Sequence, residues 1–92
     1  MIHMLCRNRV RSFETWREVF ASHAEAHRAA GLRLTNLWRE AGDPESFFFL
    51  FEVEDVARAR AFIDAPDSAD AGTRAGVLDG DYFFVEGSDL PY

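Results

Sequence analysis

His23 and His27 stand one helical turn apart at the end of a longer stripe: Phe13, Trp16, Phe20, His23, His27 and Ala30. The intervals alternate between three and four residues, the spacing that puts all six side chains on one face of an α-helix. Imidazole is the side chain that titrates nearest neutral pH, and it can shuttle protons or bind metal. Two of the three histidines in the chain therefore point where a core would normally be. Three kinds of chemistry fit them. As structural groups they hydrogen-bond near the helix C-terminus and, when protonated, favour its negative end. As acid/base groups they take a proton from a phenol or enol, His23 being the better placed beside the aromatics. As a pair at i, i+4 they can share a metal. However, His23-Ala24-Glu25-Ala26-His27 is not a His-Glu-x-x-His motif, and the sequence offers no third ligand, so no metal is expected.

Asn8 is the third candidate. It shares a strand face with Met4 and Cys6, among apolar neighbours, where an amide must find partners. A hydrogen bond to a loop or to a histidine satisfies it. Alternatively it orients a substrate carbonyl or enolate oxygen. Trp16, Phe20, Trp38, Phe49 and Phe51 are candidates for an aromatic wall against a flat ligand, or else ordinary core. Arg74 and Tyr82 are candidates for closing the mouth and binding an anionic oxygen. There is no Gly-rich phosphate loop, paired-cysteine site or serine nucleophile elbow, and no cofactor is expected. An oxidation without a cofactor must draw its electrons from the substrate itself, which a phenolate or enolate can supply.

Elements that could position these residues follow from periodicity and breakers. Residues 2–10 alternate as a strand. Ser12 caps a helix that carries the stripe and stops at Gly31. Residues 32–40 alternate as a second strand, 41–46 form a turn, and 47–53 form a third strand. Asp55 caps a second helix to about Ala65, with Val56, Ala59, Phe62 and Ile63 as its buried face. Pro66 interrupts it, and a short helical piece follows from about Asp67 to Ala75. Residues 81–86 are the fourth strand, and the tail through Tyr92 is an arm or a flexible end. The order β-α-β-β-α-β predicts an α+β, ferredoxin-like fold, an antiparallel four-stranded sheet with helices on one face. The run Phe47–Phe51 is apolar on both strand faces. Helices cover one, and a second copy of the sheet is the simplest cover for the other, giving a homodimer.

Composition narrows the partners. Ninety-two residues make one domain, 1–92, and the formal net charge of −6 argues against nucleic acid or anionic lipid. All ten basic residues are arginine. Cys6, the only cysteine, lies in an apolar strand pattern and reads as a small core residue. No apolar run approaches the ~18 residues of a membrane span and no signal-peptide core is evident. A cytoplasmic location is the default expectation.

At the level of family, the chain resembles the dimeric α/β-barrel superfamily, and within it the small antibiotic biosynthesis monooxygenase-like and polyketide cyclase-like proteins. The resemblance rests on Val10, Phe13, Trp16-Arg17-Glu18-Val19-Phe20, His23 and Arg28-Ala29-Ala30-Gly31. It continues through Asp43-Pro44, Ala59-Arg60-Ala61-Phe62 and Arg74-Ala75-Gly76-Val77. Relative to that pattern, Asn8 replaces a strand histidine and His27 a common arginine. Ser68 and Gly72 stand where the short helix usually carries Leu and Met, which either enlarges the space beneath it or loosens it. The resemblance implies a cofactor-independent tailoring enzyme of bacterial secondary metabolism that oxygenates or cyclises an aromatic or polyketide-like substrate. A non-catalytic dimeric small-molecule binder is one alternative. A haem-degrading monooxygenase is another, suggested by a strand Asn with tryptophans and a helix His.

Overall fold

A computed structural model describes residues Met1–Tyr92. Strand β1 (Ile2–Val10) leads into helix α1 (Phe13–Ser22) and α2 (Ala24–Ala29). Strands β2 (Leu32–Glu40) and β3 (Asp43–Val53) form a hairpin. Helices α3 (Val56–Asp64) and α4 (Pro66–Arg74) follow, and β4 (Val77–Glu86) closes the chain's regular structure. The sheet order is β2-β3-β1-β4, all neighbours antiparallel. This is the expected ferredoxin-like α+β fold, with each helical crossover divided in two.

The divisions have local causes. Ser12 accepts from the Thr15 amide and starts α1. At His23 the backbone turns tighter, its amide bonding the Phe20 carbonyl at 3.0 Å, and the helix splits there instead of running unbroken to Ala30. The split is slight, since the His27 amide still reaches the His23 carbonyl at 2.9 Å, and the stripe survives it. Asp55 caps α3 by accepting from Ala57 and Arg58. Pro66 ends α3 and begins α4, where its missing N–H is harmless.

Two predicted boundaries shift. The turn between β2 and β3 is only Ala41-Gly42, with Gly42 at φ +83°, a conformation that favours glycine. Asp43–Ser46, expected in the turn, belong to β3, and β4 begins at Val77 rather than 81. Near the middle of β2, Leu34 pairs with Phe51 and Asn36 with Leu50, so Thr35 is the extra residue of a bulge. Its hydroxyl donates to the Leu50 carbonyl.

The core lies between sheet and helices. Met4, Cys6, Val10, Phe47, Phe49, Phe51 and Val53 face it from the sheet, and Trp16, Ala59 and Ala75 are buried against them. No helix is long and apolar enough to cross a membrane.

Candidate functional site

A cavity of about 520 Å³ lies between the sheet and the helices. Its volume falls in the range of about 300–1,000 Å³ common to small-molecule sites. Strand alternation brings Met4, Cys6 and Asn8 to its floor, with Phe49 and Phe51 beside them and Tyr82 from β4. The α1–α2 stripe supplies one wall: Trp16, Phe20, His23 and His27. The opposite wall comes from Phe62 and Ile63 of α3 and from α4.

The aromatic part of the stripe is interlocked with the sheet. Trp16 stacks on Phe20 at 4.7 Å and on Phe47 at 5.6 Å, and Phe20 meets Phe49 edge-on at 5.3 Å. With the Asn8 amide assigned to the orientation that satisfies both neighbours, Trp16 Nε1 donates to its oxygen at 3.1 Å and its nitrogen donates to the Arg7 carbonyl at 2.9 Å. Asn8 thus lines the cavity with one bond made to the wall and one to its own strand. Gly80 lies across from Asn8 on β4 and makes this possible. A Cβ there would stand 2.5 Å from the Asn8 amide and 2.8 Å from the Arg7 carbonyl oxygen. Gly80 was not singled out by the sequence; its signal is a glycine inside a strand pattern, which marks close approach of a neighbour.

The two imidazoles differ in environment. His23 Nδ1 lies 2.8 Å from the Val19 carbonyl oxygen and 3.1 Å from Ser22 Oγ. A carbonyl only accepts, so Nδ1 is the nitrogen that carries the proton in the neutral ring, which puts the lone pair of that tautomer on Nε2. His27 is ringed by Phe20 at 4.7 Å, Phe51 at 5.2 Å and Phe62 at 5.6 Å. Burial among them, with the nearby His23 as a lesser cause, pushes its pKa down to about 4. His27 is therefore neutral at neutral pH and a weak base. No third metal-ligating side chain joins the pair. The Cys6 thiol is pushed up to about 12 by burial and stays protonated.

Two sequence candidates fall outside the cavity. Trp38 pairs with Phe48, not with Phe47 or Phe49, and lies on the opposite face of the sheet, 47% exposed. The bulge at Thr35 is the cause: it reverses the alternation, turning Leu37 to the helix side and Trp38 away. Arg74 lines a separate outer groove between α2 and the α3–α4 pair, together with Arg58. That groove and the cavity share His23, Phe62 and Ser68 as a common wall. Ile63, expected on a buried face, and Ser68 and Gly72, which the sequence offered as enlarging the space beneath the short helix, line the cavity together with Ala69 and Ala71.

Comparison with solved structures places the fold. A protein described as an antibiotic biosynthesis monooxygenase superposes with a TM-score of 0.64 at 19% identity, over 97% of this chain and 100% of its own. A provisionally assigned antibiotic biosynthesis monooxygenase from Bordetella bronchiseptica gives a TM-score of 0.76 at 13% identity, covering 95% and 96% of the two chains. SnoaB from Streptomyces nogalater, a cofactor-independent oxygenase solved as a variant, gives 0.71 at 22% identity over 99% and 97%. The chain shares the overall fold of these proteins. No protein-family model matches it, and no curated protein matches it by sequence.

Within this fold the chain assembles a largely apolar, ring-walled cavity in which His23 is anchored through one ring nitrogen. Such an arrangement can hold a flat hydroxylated molecule and accept a proton from it. Low polarity around the site strengthens the attraction between an imidazolium and an anion formed beside it.

Proposed function

We propose that the protein binds a hydroxylated aromatic or polyketide-like molecule in the cavity and removes a proton from its phenol or enol with His23 Nε2, leading to cofactor-independent oxygenation. The observation that carries this reading is the 2.8 Å contact of His23 Nδ1 with the Val19 carbonyl, which assigns the proton to Nδ1 and leaves Nε2 as the basic nitrogen on a largely aromatic wall. Deprotonation leaves the substrate as an enolate, electron-rich enough to reduce dioxygen. A carbon–oxygen bond then forms, the resulting peroxide takes the proton back from the His23 imidazolium, and loss of water leaves a new carbonyl. Dioxygen is thus reduced by the substrate, which is oxidised. The likeness to SnoaB supports oxygenation over cyclisation. Asn8 and Trp16 shape the wall, Tyr82 borders the floor, and His27 serves as a neutral aromatic-like wall.

Oxygen uptake with a quinol-type substrate tests the reaction. The wild type consumes oxygen; His23→Ala loses activity by roughly a hundredfold or more, the scale of a general base, while His27→Phe stays near wild type. Full activity in His23→Ala overturns the base assignment. Product formation without oxygen uptake makes the protein a cyclase, and binding without turnover makes it a non-catalytic carrier.

The same reading includes a homodimer. The sheet face away from the helices carries Leu5, Phe48, Leu50, Trp38, Phe83 and Val85, and Phe83 is 59% exposed. An apolar strip of this kind on a sheet face favours an isologous partner.

A further inference from the structure

We propose that Gly72 sets the girth of the ligand the cavity admits. The proposal rests on the reading of the cavity as a ligand site. Gly72 lies inside α4, where glycine weakens a helix through its backbone freedom. A glycine is usually retained for a positive φ, for close approach of a neighbour, or as a helix terminus. None of these holds at Gly72. Its φ is not positive, a Cβ there would meet no atom within 4 Å, and α4 continues to Arg74 with Gly76 placed beyond its end. The contrast with Gly80 is direct, since a Cβ at Gly80 collides with the Asn8 amide and the Arg7 carbonyl. The fold needs Gly80 and does not need Gly72.

What Gly72 provides is room, and the cavity is where that room lies. The rest of α4 is equally slight: Ser68, Ala69 and Ala71 also line the cavity, and the helix buries no side chain of its own. The Ser68 hydroxyl is already committed to the Phe62 carbonyl. The facing wall is the opposite in character, because Trp16, Phe20 and Phe49 are locked together. A flat ligand is therefore bounded by fixed rings on one side and by nearly bare helix backbone on the other. Removing one leucine from a packed core leaves about 150 Å³, enough for benzene. A leucine placed at 72 subtracts space on the order of one aromatic ring from the cavity.

The test titrates the full chain with 2-naphthol and with 1-hydroxypyrene, following probe fluorescence. Wild type, Gly72→Ala and Gly72→Leu are compared, with thermal melts to establish folding; both replacements raise helix propensity. The wild type binds both probes. Gly72→Leu weakens 1-hydroxypyrene by roughly tenfold or more, within the range seen for steric discrimination in apolar pockets, and keeps 2-naphthol close to wild type. Gly72→Ala falls between. If Gly72→Leu binds both probes like the wild type, or weakens both alike, Gly72 does not set ligand size and the proposal fails while the cavity reading stands. If the wild type binds neither probe, the cavity reading fails and takes the proposal with it.

Discussion

His27 stands among Phe20, Phe51 and Phe62, and its pKa of about 4 lies below the ordinary 6.5. Above pH 6.5 the imidazole is neutral in folded and unfolded chains alike and adds nothing to pH dependence. As pH falls from 6.5 towards 4, the unfolded chain takes up a proton that the folded chain refuses, so stability falls. The full shift would exceed 3 kcal/mol, but His27 is only partly buried, and solvent screening brings the effect to roughly 1–2 kcal/mol. Urea midpoints should therefore drop more between pH 7 and pH 5 for the wild type than for His27→Phe. Equal drops would show that this ring is not the titrating group. Gly80 makes a second prediction at this scale. Gly80→Ala forces a Cβ onto the Arg7 carbonyl and the Asn8 amide, an overpacking that costs about 1–3 kcal/mol. A urea midpoint unchanged from wild type would contradict that contact. Because Asn8 accepts from Trp16 Nε1, the same substitution should also alter the Trp16 environment in near-ultraviolet circular dichroism.

Among the elements, caps and breakers were legible and irregularities were not. Asp55 before an apolar period announced α3, and the structure shows its carboxylate accepting from two amides. Asp55→Ala should cost about 1 kcal/mol in urea denaturation; no loss would mean that solvent satisfies those amides equally well. Ser12, Gly31 and Pro66 were read from the same kind of signal, the fit of one residue to one backbone position. The bulge at Thr35 has no such signature, because threonine suits ordinary strand and bulge alike. One extra residue was enough to move Trp38 from the cavity to the far face and to bring Leu37 inward. The tightening at His23 was equally hidden, since both sides of the stripe keep helical spacing and only the bond from the His23 amide to the Phe20 carbonyl reveals the turn. Stripe membership in α1–α2 depended on periodicity alone, and it brought His23 and His27 to the cavity wall. Arg74 could not be placed from spacing, because the rotation of a short helix after Pro66 is set by tertiary packing rather than by its own polar sequence.

Across the whole molecule, the proposed function gives the two faces of one sheet separate tasks. The helix face closes over the cavity, while the other presents Leu5, Phe48 and Leu50 at its centre and Phe83 and Val85 towards the β4 edge. Charged residues border this strip: Arg7 pairs with Asp79 and Asp81 at one end, and Arg33 with Glu52 lies nearer the other. Those pairs are exposed and contribute little to the stability of a single chain, but at the rim of an interface they would hold two copies in one orientation. Phe83 is the most exposed aromatic of the strip, and it sits opposite Leu5 in the β1–β4 pairing. Phe83→Asp places a charge there without removing any group from the core. In sedimentation velocity the wild type should run as a dimer and Phe83→Asp as a monomer, with the dissociation constant raised by roughly thirtyfold or more, the scale of an interface hot spot. The far-ultraviolet spectrum should be unchanged, and 2-naphthol should still bind, because the cavity lies on the other side of the sheet. A wild type that sediments as a monomer would show that this strip serves something other than self-association. Loss of 2-naphthol binding in Phe83→Asp would instead mean that the two faces are coupled, and that pairing of the sheets is what keeps the cavity in shape.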